Sequence, residues 1–341
     1  MSRSRTTLTD VAARAGVSTA TASRVLSGSR DRVSEQLVRR VTSAAAELDY
    51  VPNPHARALV RAASATVAVI VHDLADPYFS EIAHGALRVA AEDGRLVMVC
   101  ATFRDPHREV AYVREMRAQR MHAVLLAGSS SAGLEMGGEL ARELAAYRRE
   151  GGRVASMAAG HGHPAAVPDH RSGGHDAAAH LLSLGHRHTA VVAGPSRLAS
   201  VTARLEGFAA AVEAGGAPPP VVMHADFTRA GGAAATREIL EHRPEVTAIL
   251  ALNDLMAIGV VRQLEQEGRT VPEDVSVVGF DDIPQAADFH PALTTVRVPM
   301  AEIGAEAMRL ALSTEPGERD DRVTVFPTEL IVRLSTASPR P

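Results

Sequence analysis

From Thr66 onward the chain alternates short apolar runs with stretches of helical period, and this rhythm restricts the fold more than any other feature. Thr66-Val67-Ala68-Val69-Ile70-Val71 is apolar on both faces, as a strand buried inside a sheet must be. Further runs occupy residues 96–101, 122–127 and 154–157, and a second set occupies 188–193, 221–225, 248–252 and 275–279. Amphipathic stretches such as 78–91, 134–150, 173–184 and 255–267 separate them. The alternation predicts parallel, doubly wound sheets joined by right-handed crossovers. Two sets of four strands predict two lobes, parted near Gly160-His161-Gly162-His163-Pro164. Ligands of such sheets gather beyond the carboxyl ends of the strands, so the residues just after each run are the candidates for a site.

The first 61 residues have a different character. Ten Arg and five acids give them a net charge of +5, which leaves −9 for the remainder of a chain whose total is −4. A basic head on an acidic body suits a phosphate-binding module joined to a globular one. Thr7 with Asp10 reads as a capping box opening a helix whose apolar face is Leu8, Val11, Ala12 and Ala15. Gly16 suits a tight turn, and Ser18 caps a second helix with a short, polar outer face of Thr19, Ala20, Thr21, Ser23 and Arg24. A second helix so placed is the one that enters a major groove. Ser34 caps a third, with Leu37, Val41, Ala44 and Leu48 at helical spacing. The plainer reading, a helical hairpin that only packs, leaves the polar outer face unexplained.

Between head and body, Asn53 caps and Pro54 opens a segment of about two turns, too short to be a stable helix alone. Arg57 can meet a backbone phosphate, and Leu59 can act as an apolar wedge in a minor groove. An ordinary interdomain linker with one incidental Leu fits the same residues.

The body lacks the marks of common catalytic machinery. All 36 basic residues are Arg, which removes the phosphate-loop lysine and every Schiff-base mechanism. No G-x-G-x-x-G follows the first strand, no H-E-x-x-H occurs, and Gly128-Ser129-Ser130-Ser131-Ala132 misses the nucleophile elbow at its fifth position. Seven His between 161 and 188 match no compact metal spacing. Cys100 is alone, which fits a reducing cytoplasm, and no apolar run approaches the roughly 20 residues needed to cross a bilayer. The strand ends instead offer a set suited to polyols. Asn253, Asp254, Asp281 and Asp282 can accept hydroxyl hydrogens, Arg204 can donate to two oxygens, and Tyr78, Phe79 and Phe227 can stack on a ring.

Taken together these residues resemble the LacI/GalR family of bacterial transcription regulators. In the head the resemblance rests on Asp10-Val11-Ala12, Ala15-Gly16-Val17-Ser18 and Thr21-Ala22-Ser23-Arg24-Val25-Leu26, followed by Tyr50-Val51-Pro52-Asn53 and Ala56-Arg57-Ala58-Leu59. In the body it rests on Asp76-Pro77-Tyr78-Phe79, Leu184-Gly185-His186-Arg187, Arg204-Leu205-Glu206-Gly207-Phe208, Asn253-Asp254 with Ala257-Ile258-Gly259, and Val277-Val278-Gly279-Phe280-Asp281-Asp282. The resemblance implies a homodimer on near-palindromic operator DNA. Thr19, Ala20 and Arg24 would read base edges, Ser18, Thr21 and Ser23 would hold phosphates, and Asn53, Ala56, Arg57 and Leu59 would lie in the minor-groove hinge. It implies an α/β, periplasmic-binding-protein-like body with a small effector between two lobes, met by Tyr78, Phe79, Asp169, Ser200, Arg204, Phe227, Asn253 and Asp281. The implied segments are a head at 1–51, a hinge at 52–63, a first lobe at 64–163 and 293–322, and a second lobe at 164–292 and 323–336.

Some positions depart from the family pattern. Ala22 stands where Val is usual, His170 replaces a common Asn, and Leu198 stands where purine-responsive relatives carry Arg. The expectation is a cytoplasmic, ligand-responsive repressor of carbohydrate-uptake or catabolic genes, not an enzyme, and without metal or cofactor. The competing readings are a sugar-binding or sugar-processing protein sharing the fold, and a regulator answering a non-sugar ligand.

Overall fold

The computed structural model describes residues 6–26, 33–50, 66–128, 134–315 and 320–340, which fall into two compact units, Met1–Ala65 and Thr66–Pro341. In the first, α1 (Leu8–Ala15) opens on the expected box: Asp10 N–H donates to Thr7 Oγ1 at 3.3 Å, and Thr7 N–H donates to Asp10 Oδ2 at 2.8 Å. Gly16 ends the helix in the left-handed region (φ 61°), where a side chain would be strained. α2 (Thr19–Leu26) and α3 (Glu35–Glu47) complete the unit. Val11, Ala12, Ala15, Ala22, Val25, Val41, Ala44 and Ala45 form its core.

The second unit begins with β1 (Thr66–Val71), α4 (Pro77–Glu92), β2 (Leu96–Ala101), α5 (Pro106–Ala118), β3 (Ala123–Leu126), α6 (Leu134–Arg149), β4 (Arg153–Ser156) and β5 (Ala165–Pro168). It continues through α7 (His170–Ser183), β6 (Thr189–Ala193), α8 (Ala199–Ala214), β7 (Val221–His224), α9 (Arg229–His242) and β8 (Ala248–Ala251). Then come α10 (Asp254–Gln266), β9 (Ser276–Asp281), α11 (Pro284–Asp288), β10 (Thr294–Arg297), α12 (Met300–Ser313), β11 (Val323–Phe326) and β12 (Glu329–Ile331). Two six-stranded sheets result, ordered β2-β1-β3-β4-β5-β11 and β7-β6-β8-β9-β10-β12. Every pairing is parallel except β10 with β12. Among the described residues no helix is long and apolar enough to cross a membrane.

The expected lobe boundaries need correction at three places. β5 and β11, assigned to the second lobe, pair with each other in the first sheet, whereas β10, assigned to the first lobe, pairs with β9 in the second. The Gly- and His-rich stretch at 160–164 is therefore no interlobe linker. It turns the chain from β4 back to β5, with Ser156 N–H donating to Pro164 O at 3.0 Å. The crossings fall at Asp169, at Val298-Pro299 and between β11 and β12, and α12 returns to the first lobe as expected. Gly85 and Gly304 let α4 and α12 meet backbone to backbone there. A Cβ on Gly85 would stand 1.8 Å from Ala301 O.

Candidate functional site

In the N-terminal unit the predicted reading face is presented as a surface. Ala22 and Val25 turn inward, while Ser18, Thr19, Ala20 and Arg24 are exposed and Thr21 and Ser23 half-buried. Ser18 Oγ accepts from Thr21 N–H at 3.2 Å and lies 2.9 Å from Thr21 Oγ1, which orders both hydroxyls at the start of α2. Arg40 on α3 donates through Nη2 to Ala15 O (2.6 Å) and Gly16 O (3.4 Å), so it takes up carbonyls at the end of α1 and secures the turn that aims α2. Asn53, Ala56, Arg57 and Leu59 lie outside the described residues.

In the larger unit a small cavity of about 30 Å³ opens between the lobes, lined by Asp76, Tyr78, Phe79, Arg104, Ser200, Arg204, Phe227, Asn253 and Asp281. Each lining residue stands after the carboxyl end of a strand or closes one, as the topology requires. Asp76 caps α4 by accepting from Tyr78 N–H at 3.1 Å, which sets Tyr78 and Phe79 in the first turn, edge to face at 5.1 Å. Burial pushes the Asp76 carboxyl up and the Tyr78 phenol far up, so the phenol stays a neutral donor. Phe227 lies against Gly194, where a Cβ would come 2.1 Å from the ring. Asn253 caps α10, its Oδ1 accepting from Met256 N–H at 2.8 Å, which leaves its amide NH2 as the half suited to a ligand.

Arg204 and Asp281 form the floor. Both are about 95% buried, and Arg204 Nη2 meets Asp281 Oδ1 at 3.2 Å. Arg204 Nε donates to His170 Nδ1 at 3.1 Å, Nη1 donates to Leu252 O, and the guanidinium lies 3.8 Å from the centroid of Phe280. One hydrogen on each Nη remains for a ligand. Burial and the Arg204 charge hold His170 well below its usual range, so it stays a neutral acceptor there. Burial raises the Asp281 carboxyl, with Arg204 opposing. Asp281 and Asp282 both have positive φ (109° and 57°), strain of a kind concentrated at ligand sites. Asp282 turns away and pairs with Arg297 (2.8 Å) and Arg333 (2.7 Å).

Seven of the eight predicted effector residues therefore converge. Asp169 does not line the cavity: its carboxylate caps α7, accepting from Ser172 N–H (3.0 Å) and Ser172 Oγ (2.6 Å), and that hydroxyl holds it below the usual range. Asp254 is buried elsewhere, accepting from Thr295 Oγ1 at 2.6 Å and Ile283 N–H at 2.8 Å. The sequence reading missed Asp76 and Arg104, although both follow strand ends. Among the described residues no group of three or more His, Cys, Asp or Glu is placed to hold a metal ion.

Known proteins match both units. Residues 7–53 match the model for bacterial regulatory proteins of the lacI family, and residues 178–336 match that for the periplasmic binding protein-like domain. The HTH-type transcriptional repressor CytR of Escherichia coli (strain K12) is 33% identical over 345 residues, covering 97% of this chain and 96% of that protein. The chain belongs to the lacI family. This lacI-family protein is a sequence-specific DNA-binding transcriptional regulator controlled by a small effector, and not an enzyme. The solved complex of the transcriptional regulator CelR with cellobiose is 32% identical, with a TM-score of 0.71 over 97% of this chain and 100% of that one. The Lac repressor dimer bound to operator and the anti-inducer ONPF is 26% identical, with a TM-score of 0.85 over 98% and 100%.

Proposed function

We propose that this lacI-family protein is a cytoplasmic, homodimeric repressor of carbohydrate-uptake or catabolic genes, released or engaged by a small sugar-like effector in the interlobe cavity. The observation that carries the reading is the Arg204–Asp281 pair on the cavity floor, with Tyr78, Phe79 and Phe227 around it. A guanidinium that keeps two donors and a carboxylate that keeps acceptor capacity match adjacent hydroxyls, and the rings match the apolar face of a pyranose or furanose. Ser200 and Asn253 add a hydroxyl and an amide. The cellobiose held by CelR makes a carbohydrate the natural class. In the head, Thr19, Ala20 and Arg24 are assigned to base edges and Ser18, Thr21 and Ser23 to phosphates, while Asn53, Ala56, Arg57 and Leu59 are assigned to the minor groove.

Calorimetry with a sugar panel tests the cavity. Asp281→Ala is expected to lower affinity for any sugar that binds by about 10–100-fold, since a charge-assisted hydrogen bond is worth about 1.5–3 kcal/mol. Operator binding at fixed salt should be retained. Unchanged sugar affinity in the variant rejects the assignment.

A further inference from the structure

Among the described residues that line the cavity, Arg104 is the cation that meets aromatic rings but no hydrogen-bond acceptor. It enters from the loop after β2, and its guanidinium lies 5.7 Å from the centroid of Phe79 in the first lobe and 4.9 Å from that of Phe227 in the second. Among the described residues none of its N–H groups donates a hydrogen bond and no carboxylate reaches ion-pair distance. Asp76, the acid acting on it most strongly, has turned to cap α4. The loop that presents it is built at a cost. Phe103 and Arg104 both hold positive φ (53° and 60°), and the turn is tied by Phe103 N–H to His72 O (2.7 Å) and Asp105 N–H to Thr102 O (3.1 Å).

We propose that the effector carries an anionic substituent, a phosphomonoester or a carboxylate, received by the Arg104 guanidinium at the interlobe cavity. The inference rests on the effector cavity proposed above and adds the charge of its occupant. A guanidinium that contacts rings has not committed its N–H groups to an acceptor, and its planar fork can grip an oxyanion with two parallel hydrogen bonds. Arg204 is different, since its Nε and both Nη groups already donate to His170, Leu252 and Asp281. Hydroxyls thus fall to Arg204 and Asp281, and charge falls to Arg104. A neutral sugar would leave a half-buried cation with ring contacts but no hydrogen-bond acceptor. Around Arg104 the charges are mixed, with Asp76, Asp73 and Asp226 opposing Arg197, so an anion is held by the geometry of the Arg104 fork and not by a broad positive field.

The experiment is calorimetry on the full chain with matched pairs: ribose and ribose 5-phosphate, glucose and glucose 6-phosphate, glucose and glucuronate. At least one anionic member should bind tenfold or more tightly than its neutral parent, with affinity falling as salt rises. Arg104→Gln should remove that preference, and Arg104→Lys should restore part of it. The proposal is overturned if neutral members bind as well as their anionic partners, or if the preference survives Arg104→Gln. A neutral sugar that binds and is lost in Asp281→Ala, with no anionic partner bound better, keeps the effector cavity and rejects the anion. No heat from any member counts against both readings.

Discussion

Asp254 illustrates what single residues contribute and what they conceal. Its carboxylate joins the start of α10 to β10 and to the backbone after β9, and it is fully buried. Burial pushes its pKa up to about 7. Below roughly pH 4 it is protonated in both folded and unfolded chains and adds no pH dependence. Between there and about 7 the unfolded chain releases the proton while the folded one retains it, so stability falls as pH rises, and above that window the penalty is constant. Asp254→Asn should lose this slope, because the Thr295 hydroxyl can turn to keep its bond. From about pH 4.5 to 8 the melting temperature of the wild type should therefore fall relative to that of the variant, and parallel curves would refute the account. The sequence placed Asp254 beside a strand end but did not reveal whether it faced a ligand or the core. Asp169 carried the same ambiguity. An Asp before a helix serves equally as cap or ligand, and only the Ser172 contacts decide. Arg104 was harder still, since two consecutive non-glycine residues in the left-handed region have no signature in residue type.

Helix pairs hold these residues in place through glycine contacts. α7 and α8 cross so closely that a Cβ on Gly174 would stand 2.1 Å from Arg204 O, and one on Gly207 would stand 1.9 Å from Arg171 O. Backbone contact at this crossing fixes the helix that carries Arg204 relative to the one that carries His170, which accepts from it. Gly174→Ala must force the helices apart. A stability loss of about 1–3 kcal/mol is expected. Effector affinity should fall by more than a remote variant of equal stability loses, and equal losses in the two would show that the crossing does not position Arg204. The eight strands read from the sequence all form; in the central ones apolar runs bury both faces, while β2 and β7 lie at sheet edges with one face more open. β5, β10, β11 and β12 escaped notice: each has three or four residues, and in β11 Val323 and Val325 are exposed at a sheet edge. β3, β4, β7 and β8 are hardly longer, but in β5, β10, β11 and β12 Pro, Thr, Arg or Glu breaks the run, so no continuous apolar stretch marks them. The lobe boundaries moved for the same reason.

At the scale of the whole chain, three crossings between lobes make the cavity the place where their relative position is felt. Asp76, Tyr78, Phe79 and Arg104 come from the first lobe, and Ser200, Arg204, Phe227, Asn253 and Asp281 from the second. An effector touching both sets has a different free energy in each arrangement of the lobes, and only that difference can alter DNA binding. The coupling must be reciprocal. If saturating effector changes operator affinity by some factor, operator must change effector affinity by the same factor in the same direction. Factors of about 5–150 are typical, corresponding to about 1–3 kcal/mol. Titrating operator with and without effector, and effector with and without operator, at one salt concentration should close this cycle. Leu59→Ala should lower operator affinity while leaving effector affinity of the free protein unchanged, whereas Asp281→Ala should do the reverse. Two factors that agree in wild type but collapse to one in Asp281→Ala would place the origin of the coupling at the cavity floor. A factor that persists in that variant at saturating effector would move it elsewhere in the lobes.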